Sequence, residues 1–542
     1  MDSSVRLDQN PLAAEAELSP DSRPVMDRLK RLEPRTTERV NLTVPTLADG
    51  EQYRFHFDMT RCIGCRCCEV ACNEQNNNPP EVTWRRVGEI EGGIYPNVTR
   101  LHLSMACNHC LEPSCMEGCP TDAYTKLDNG IVDHDAEACI GCQYCTWNCP
   151  YGVPQYHPER RVVTKCQMCV GRLAEGELPA CVGACPTNSI QIESVNVAEW
   201  REKISNADAP GVPPADLTLS TTRITLPDDL PASMGEVDAQ VLEPEAPHWS
   251  LVFFLVLSQW SVGLFAAVSF VLTQPFATFV LSLCAFVIGQ ASLATALFHL
   301  GRPIHAVRAM KAWRHSWLSR EVITFSLFGG ASAVALAMSL GRWLDFEVSS
   351  ILPSTPVFLA TIIVTVLLGV AGIGCSVGIY RIPARPAWDS PRTPLQFFAT
   401  SVLLGGGGVL FAVRLNAPAP LGLSSWLPAS LVSIAALTLL FVPWQLVLQG
   451  LTTRESPVRG AAILLTKHFG RLFYVRTALL CAIAGLAPIS PILGSRSMSV
   501  AVTSSVLVLA FLSEIIGRYL FFVTVVPRNM PGSFFASRSS HG

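Results

Sequence analysis

The chain has 542 residues, of which 15% are charged and 49% hydrophobic, and its formal net charge is −3. That balance gives no basic surplus for nucleic acid, and no nucleic-acid partner is expected. The positive mean hydropathy of +0.33 averages two unlike halves, polar and cysteine-rich up to about residue 246 and apolar beyond it.

Residues 1–48 form a polar extension. The first 45 residues mix charges and contain no apolar core segment, so neither an export signal nor a packed core is expected there. Residues 49–195 carry four cysteine runs. The first places Cys62, Cys65, Cys68 and Cys72 in a CxxCxxCxxxC pattern, and the second gives Cys107, Cys110, Cys115 and Cys119. The third gives Cys139, Cys142, Cys145 and Cys149, and the fourth spreads the plan over Cys166, Cys169, Cys181 and Cys185. Three of the four runs end in CP, as bacterial ferredoxin runs do.

The spacing has a chemical reason. Three closely spaced thiolates wrap three corners of a cubane, while the fourth points away and serves the neighbouring cluster. Runs of this kind work in pairs, and pseudo-symmetry between the halves joins the first with the fourth and the second with the third. The expected sets are Cys62, Cys65, Cys68 with Cys185; Cys166, Cys169, Cys181 with Cys72; Cys107, Cys110, Cys115 with Cys149; and Cys139, Cys142, Cys145 with Cys119. With all sixteen ligands in place, four [4Fe-4S] clusters are expected rather than a three-iron centre. A disulfide framework belongs to short secreted domains, and a zinc site does not call for a repeated terminal CxxxCP. Cys67 falls out of register and, with Cys284, Cys375 and Cys481, is read as a bystander.

Residues 196–247, rich in Pro, Asp and Ala, read as an extended linker, with lying along the iron–sulfur domain or a partner as the alternative. A membrane domain follows over 248–525, then a tail over 526–542. Eight apolar stretches have the length a bilayer demands: 249–272, 276–300, 321–340, 357–378, 395–413, 426–447, 473–493 and 498–522. The fold expected is an α+β ferredoxin-like domain with duplicated cluster-binding units, followed by an all-α polytopic domain of about eight transmembrane helices.

Loop charge predicts the orientation. Loops on the side of the cysteine domain hold Arg302, Arg308, Lys311, Arg314 and Arg320, then Arg381, Arg385 and Arg392, then Arg454, Arg459, Lys467 and Arg471. The opposite loops hold Arg342, Arg414 and Arg496. The positive-inside rule then places the cluster domain on the cytoplasmic side of an inner membrane.

The segments SMACNHCLEPSCMEGCP, CIGCQYCTWNCPYGVPQY and TKCQMCVGRLAEGELPACVGACP resemble the electron-transfer subunit of dimethyl sulfoxide reductase and related molybdopterin oxidoreductases. HWSLVFFLVLSQWSVG, LATALFHLGRPIHAVRAMK, WLSREVITFSLF and IYRIPARPAWDSPRTPLQFF are similar to the anchor subunit of the same complex. Those subunits are usually separate chains; here a linker joins them. The resemblance implies a large catalytic partner holding a bis-pterin molybdenum cofactor, clusters that relay single electrons, and an anchor exchanging two electrons with menaquinone or ubiquinone from the lipid pool.

In that frame His299, in LFHLGRP at the end of the second span, aligns with a quinol-linked histidine of the anchor family. A histidine there can hydrogen-bond a quinone oxygen and move its proton, with an interfacial histidine satisfied by a backbone carbonyl as its structural alternative. Glu321, at the start of the third span, is the candidate second proton acceptor, with helix capping as its structural alternative. Glu514 and Arg518, four residues apart, are expected to pair on one helix. Tyr380 and Arg381 either line the quinone mouth or anchor the interface, and Gly405 to Gly408 let helices approach. A quinone-reducing sulfite- or formate-type dehydrogenase, or a hydrogenase, would need the same electron-transfer module. A structural or redox-sensing role for the clusters is the remaining alternative.

Overall fold

The computed structural model describes residues 42–237, 241–344, 355–416, 423–453 and 456–531. Most of the polar N-terminal extension, Arg454 and the end of the C-terminal tail lie outside these residues.

The strands of the cluster domain are β1 Glu51–Asp58, β2 Arg86–Ile94, β3 Asn97–Met105, β4 Tyr124–Lys126, β5 Val132–His134, β6 Gln155–His157, β7 Val162–Thr164, β8 Ile190–Asn196, β9 Arg223–Thr225 and β10 Gly235–Glu236. They form two three-stranded sheets, ordered β8-β1-β9 and β10-β2-β3, and two hairpins, β4-β5 and β6-β7. β1 alternates rings with polar groups. Phe55 and Phe57 enter the core, while Arg54 and His56 on the other face meet Glu193 of β8. The hairpins follow the second and third cysteine runs, so the duplicated units are visible in the chain path. Each run also carries a short helix holding a cysteine, Ser114–Gly118 and Tyr144–Asn148 in the two inner runs.

The stretch read as an extended linker is folded onto the cluster domain. β9 pairs in parallel with β1, β10 pairs antiparallel with β2, and the helix Val197–Glu202 buries Trp200, whose Nε1 donates to the Ser220 carbonyl at 2.9 Å. Prolines on both sides hide the three-residue strand β9 from any periodicity. The tail is likewise tied down over its described part. Arg528 donates its backbone N–H to Ala384, and Met530 is buried in the core of the cluster domain.

Among the described residues eight helices are long and apolar enough to cross a membrane. The spans are Trp249–Val268, Pro275–Leu297, Trp317–Trp343, Thr355–Tyr380, Arg392–Asn416, Leu423–Thr452, Gly470–Leu486 and Arg496–Val523. Their apolar windows are 67% buried in the first and fifth spans but 28–39% in the other six, so the bundle is built around that central pair. The pair crosses where Gly263 meets the backbone of Gly405, a contact that a Cβ on either would block. Before the seventh span the chain forms a short helix, Ser456–Ile463, and a π turn, Leu464–His468, which the hydropathy pattern does not disclose.

The cluster domain sits on the ends of these spans. The loop between the second and third spans runs along the two inner cysteine runs: Gly301 and Arg302 donate backbone N–H groups to Gly141 and Ile140, and Ala312 to Pro120. Side chains add to this edge, Arg302 donating to Ala136, Arg308 to Glu137 and Ser316 to the Gly118 carbonyl at 2.8 Å. Gly141 and Gly301 both approach the Arg161 carbonyl so closely that neither site has room for a Cβ.

Candidate iron–sulfur relay and quinone site

The fold brings cysteines of different runs together, the first run with the fourth and the second with the third. Cys62, Cys65, Cys68 and Cys185 line one cavity, and Cys107, Cys110, Cys115 and Cys149 line another. The electrostatic neighbours of Cys72 are Cys166, Cys181 and Cys169, and those of Cys145 are Cys142, Cys139 and Cys119. Among the described residues no three His, Cys, Asp or Glu side chains close around a single ion.

The donor chemistry fits clusters. Burial pushes the Cys62 and Cys149 thiols up to about 11 and Cys181 up to about 12, and neighbouring cysteines push the same way. Thiols so placed become thiolates only against a bound cation. Backbone amides then repeat one pattern around the sulfurs. Those of His109, Gly141 and Met168 donate to the cysteine two residues earlier, and those of Ala123 and Ser189 to the cysteine four residues earlier. Left-handed backbone at His109 and Gly141 turns the chain around the sulfur. Thr218, from the segment after β8, donates to Cys110 Sγ at 3.1 Å.

The sets form a row. Cys107 neighbours Cys166, and Cys181 neighbours Cys68, which orders them from the set holding Cys139 at the membrane to the set holding Cys62 at the far end. Two buried cations lie along the row, neither flagged by the cysteine pattern. Arg85 sits between the two outer sets, hydrogen-bonded to Ser104 and stacked 4.6 Å from the Phe55 ring. Lys165 donates to the Cys166 carbonyl at 2.9 Å beside the set holding Cys107.

At the membrane end the third run enters the helix bundle. His299 Nε2 donates to the Cys142 carbonyl at 3.2 Å. Trp147, between Cys145 and Cys149 in sequence, is buried among bundle residues, with ring centroids 5.2 Å from His248, 6.2 Å from His299, 5.9 Å from Tyr380 and 5.4 Å from Trp388. Burial, with the neighbouring His248 adding to it, holds His299 down to about 3 against the pull of the Cys142 carbonyl, so the ring is neutral near pH 7. His248 is also lowered, first by burial. Nothing in the sequence but its place before the first span marks His248.

Glu321 is buried and accepts a hydrogen bond from Ser376 of the fourth span, instead of capping its own helix. Tyr144 and Tyr380 are its electrostatic neighbours, which puts it beside the same aromatic group. Tyr380 is buried under Trp388 and Trp147, while Arg381 turns outward to Asp389 at 3.1 Å. Glu514 pairs with Arg476 of the seventh span at 3.2 Å, not with Arg518 as the helical spacing suggests. Arg518 instead donates to Gln259 at 2.9 Å and lies 4.0 Å from the Phe397 ring centroid. The partner on another helix offers a straighter approach than one on the same helix face.

The model of the DMSO reductase anchor subunit family (DmsC) matches residues 243–523, and a 4Fe-4S dicluster domain matches residues 98–195. The chain is 42% identical over 160 residues to YnfG of Escherichia coli K12, a probable anaerobic dimethyl sulfoxide reductase chain, covering 28% of this chain and 77% of that one. It is 38% identical over 177 residues to a chain of the anaerobic dimethyl sulfoxide reductase of Haemophilus influenzae, covering 31% and 86%. A sulfite dehydrogenase subunit of Allochromatium vinosum is 36% identical over 154 residues, covering 24% of this chain and 64% of that one. This multi-pass membrane chain therefore belongs to the DMSO reductase anchor subunit family in its second half and to the iron–sulfur electron-transfer subunits of dimethyl sulfoxide reductases in its first, two subunits carried as one polypeptide.

Proposed function

We propose that this chain relays electrons between membrane quinol and a separate catalytic subunit, with its cluster domain on the cytoplasmic face of the inner membrane. The observation that carries the reading is the meeting of His299 with the Cys142 carbonyl and Trp147, which joins the cysteine row to a histidine at the end of the second span. When bound, four [4Fe-4S] clusters in the sixteen cysteines supply one-electron steps along the row.

The residues divide the work. His299, fixed as its Nε2–H tautomer by the Cys142 carbonyl, leaves Nδ1 to accept a hydrogen bond from a quinol hydroxyl and so position the ring. Glu321, held by Ser376, takes a proton. Trp147 and Tyr380 exclude water between the histidine and the cysteine row. Arg302, Arg308 and Arg385 bond the cluster domain or Glu245, so docking accounts for part of the basic excess on that side, and Lys467 and Arg471 add to it. Quinol protons and electrons then leave on one face, without direct charge separation.

The partner proposed is a large subunit with a bis-pterin molybdenum cofactor, reducing a small oxo-acceptor. Reverse flow, from a dehydrogenase to quinone, is the second reading. Relatives that are subunits of sulfite dehydrogenase and formate dehydrogenase-O favour it. In the test, His299→Ala abolishes quinol-driven reduction of the iron–sulfur signal while dithionite still reduces it. Unchanged quinol turnover in that variant overturns the assignment, and metal analysis of the copurifying subunit decides between molybdenum and nickel.

A further inference from the structure

A cavity of about 600 Å³ lies at the cluster-side ends of the fifth and sixth spans, and none of His299, Glu321, Trp147 and Tyr380 lines it. Its walls come from separate elements. Arg392 opens the fifth span, Gln445 and Gln449 stand in the last turns of the sixth, and Arg528 follows the eighth. Arg392 donates to Gln449 at 2.6 Å and to Ser390 at 3.2 Å, which aims its guanidinium along the cavity wall. The Nε of Arg528 is buried and has no hydrogen-bond partner among the described residues. The one carboxylate in the lining, Asp389, accepts from Arg381 at 3.1 Å, so its charge is offset. Two arginines and two glutamines thus line a space much larger than a water.

Depth distinguishes the possible ligands. Gln445 lies seven residues before the end of the sixth span, so the cavity reaches roughly 10 Å along that helix. On the outer face beside it, Leu395, Leu448 and Leu451 are 51%, 58% and 78% exposed, an apolar surface of the kind acyl chains cover. Basic pockets between spans at this level suit anionic headgroups, and guanidinium groups bind phosphate oxygens in pairs.

We propose that this cavity binds the phosphate of an anionic phospholipid, held by Arg392 and Arg528 with its acyl chains along Leu395 and Leu448. The ligand chemistry is a phosphate monoanion, and a free phosphate ion is the competing source. The assignment does not rest on the quinone reading.

The test uses the full chain in nanodiscs of phosphatidylcholine doped with phosphatidylglycerol, with retained lipid read by native mass spectrometry. Wild type should retain phosphatidylglycerol preferentially. R392Q/R528Q should lose that preference by about twenty-five-fold, at about fivefold per arginine, and R392K/R528K should keep part of it. If the double variant fails to insert, R528Q alone, at a position outside the spans, should lose about fivefold. Equal retention by wild type and R528Q overturns the site. Displacement of the lipid by inorganic phosphate, with equal thermal stabilisation in pure phosphatidylcholine, overturns the lipid as ligand.

Discussion

Trp147 stands edge-on to Trp388 with ring centroids 5.4 Å apart, although one belongs to a cysteine run and the other to the loop before the fifth span. Trp388 in turn donates its indole N–H to the Phe521 carbonyl at 2.9 Å in the last turn of the eighth span. The cluster domain is therefore keyed into the bundle by an aromatic ring, besides the polar contacts along its edge.

Removing that ring should be costly. Trp147→Ala is expected to lower stability by about 3–5 kcal/mol, as large-to-small core changes do, and Trp147→Phe by markedly less. Thermal loss of the visible iron–sulfur absorbance measures both. Equal midpoints for the alanine variant and wild type would remove Trp147 from the interface core.

The Glu514–Arg476 pair is buried on both sides, with 1% and 4% of its side chains exposed. Arg476→Met should cost about 3–5 kcal/mol, because it removes the ion-pair partner of a buried carboxylate, whereas Arg476→Met with Glu514→Leu should recover most of the loss. The comparison is read as thermal aggregation of detergent-solubilised protein. A double variant no better than the single one would assign Glu514 a role beyond the pair.

Arg85 is the buried cation nearest the outer cysteine sets. Replacing it by Gln removes a positive charge that favours the reduced state, so the potential of the outer clusters should fall by on the order of 50–100 mV. Redox titration followed by electron paramagnetic resonance checks this, and the signals of the membrane-side set should stay in place.

Glu193 couples β8 to β1 and sets a pH dependence. Burial works against its ionised form, but hydrogen bonds and charge from His56 and Arg54 prevail and hold the carboxyl at about 2, below its usual 4.5. A depressed folded value means stability that is complete above about 4.5 and lost as pH falls towards 2. Glu193→Gln should therefore cost about 1–2 kcal/mol at pH 7, allowing for its partial exposure. The gap from wild type should hold constant down to about pH 5 and close below that. A gap independent of pH down to 3 would point to packing rather than charge.

Covalent spacing and bilayer thickness are what the sequence displays most openly. The four cysteine runs are plain in their repeated spacing, their pairing is read from the pseudo-symmetry of the halves, and the spans follow from runs of about twenty apolar residues. Contacts between distant segments are not written locally. Nothing near Glu514 announces Arg476, thirty-eight residues away in sequence. Trp147 reads as an ordinary run residue until the third run is placed on the bundle. β9 is three residues long between prolines, so its pairing with β1 depends on a sheet assembled elsewhere. His248 acquires meaning only when its ring is found 5.4 Å from that of His299.

Met530 lies seven residues past the eighth span and is 2% exposed in the core of the cluster domain. A ribosome releases the cysteine domain first and this methionine last. Until the eighth span has been threaded and the chain has doubled back, one place in that core stays open. Completion of the cofactor domain thus reports that the anchor has been made in full, and a chain truncated within the membrane half would carry an unfinished electron path as well as a missing helix.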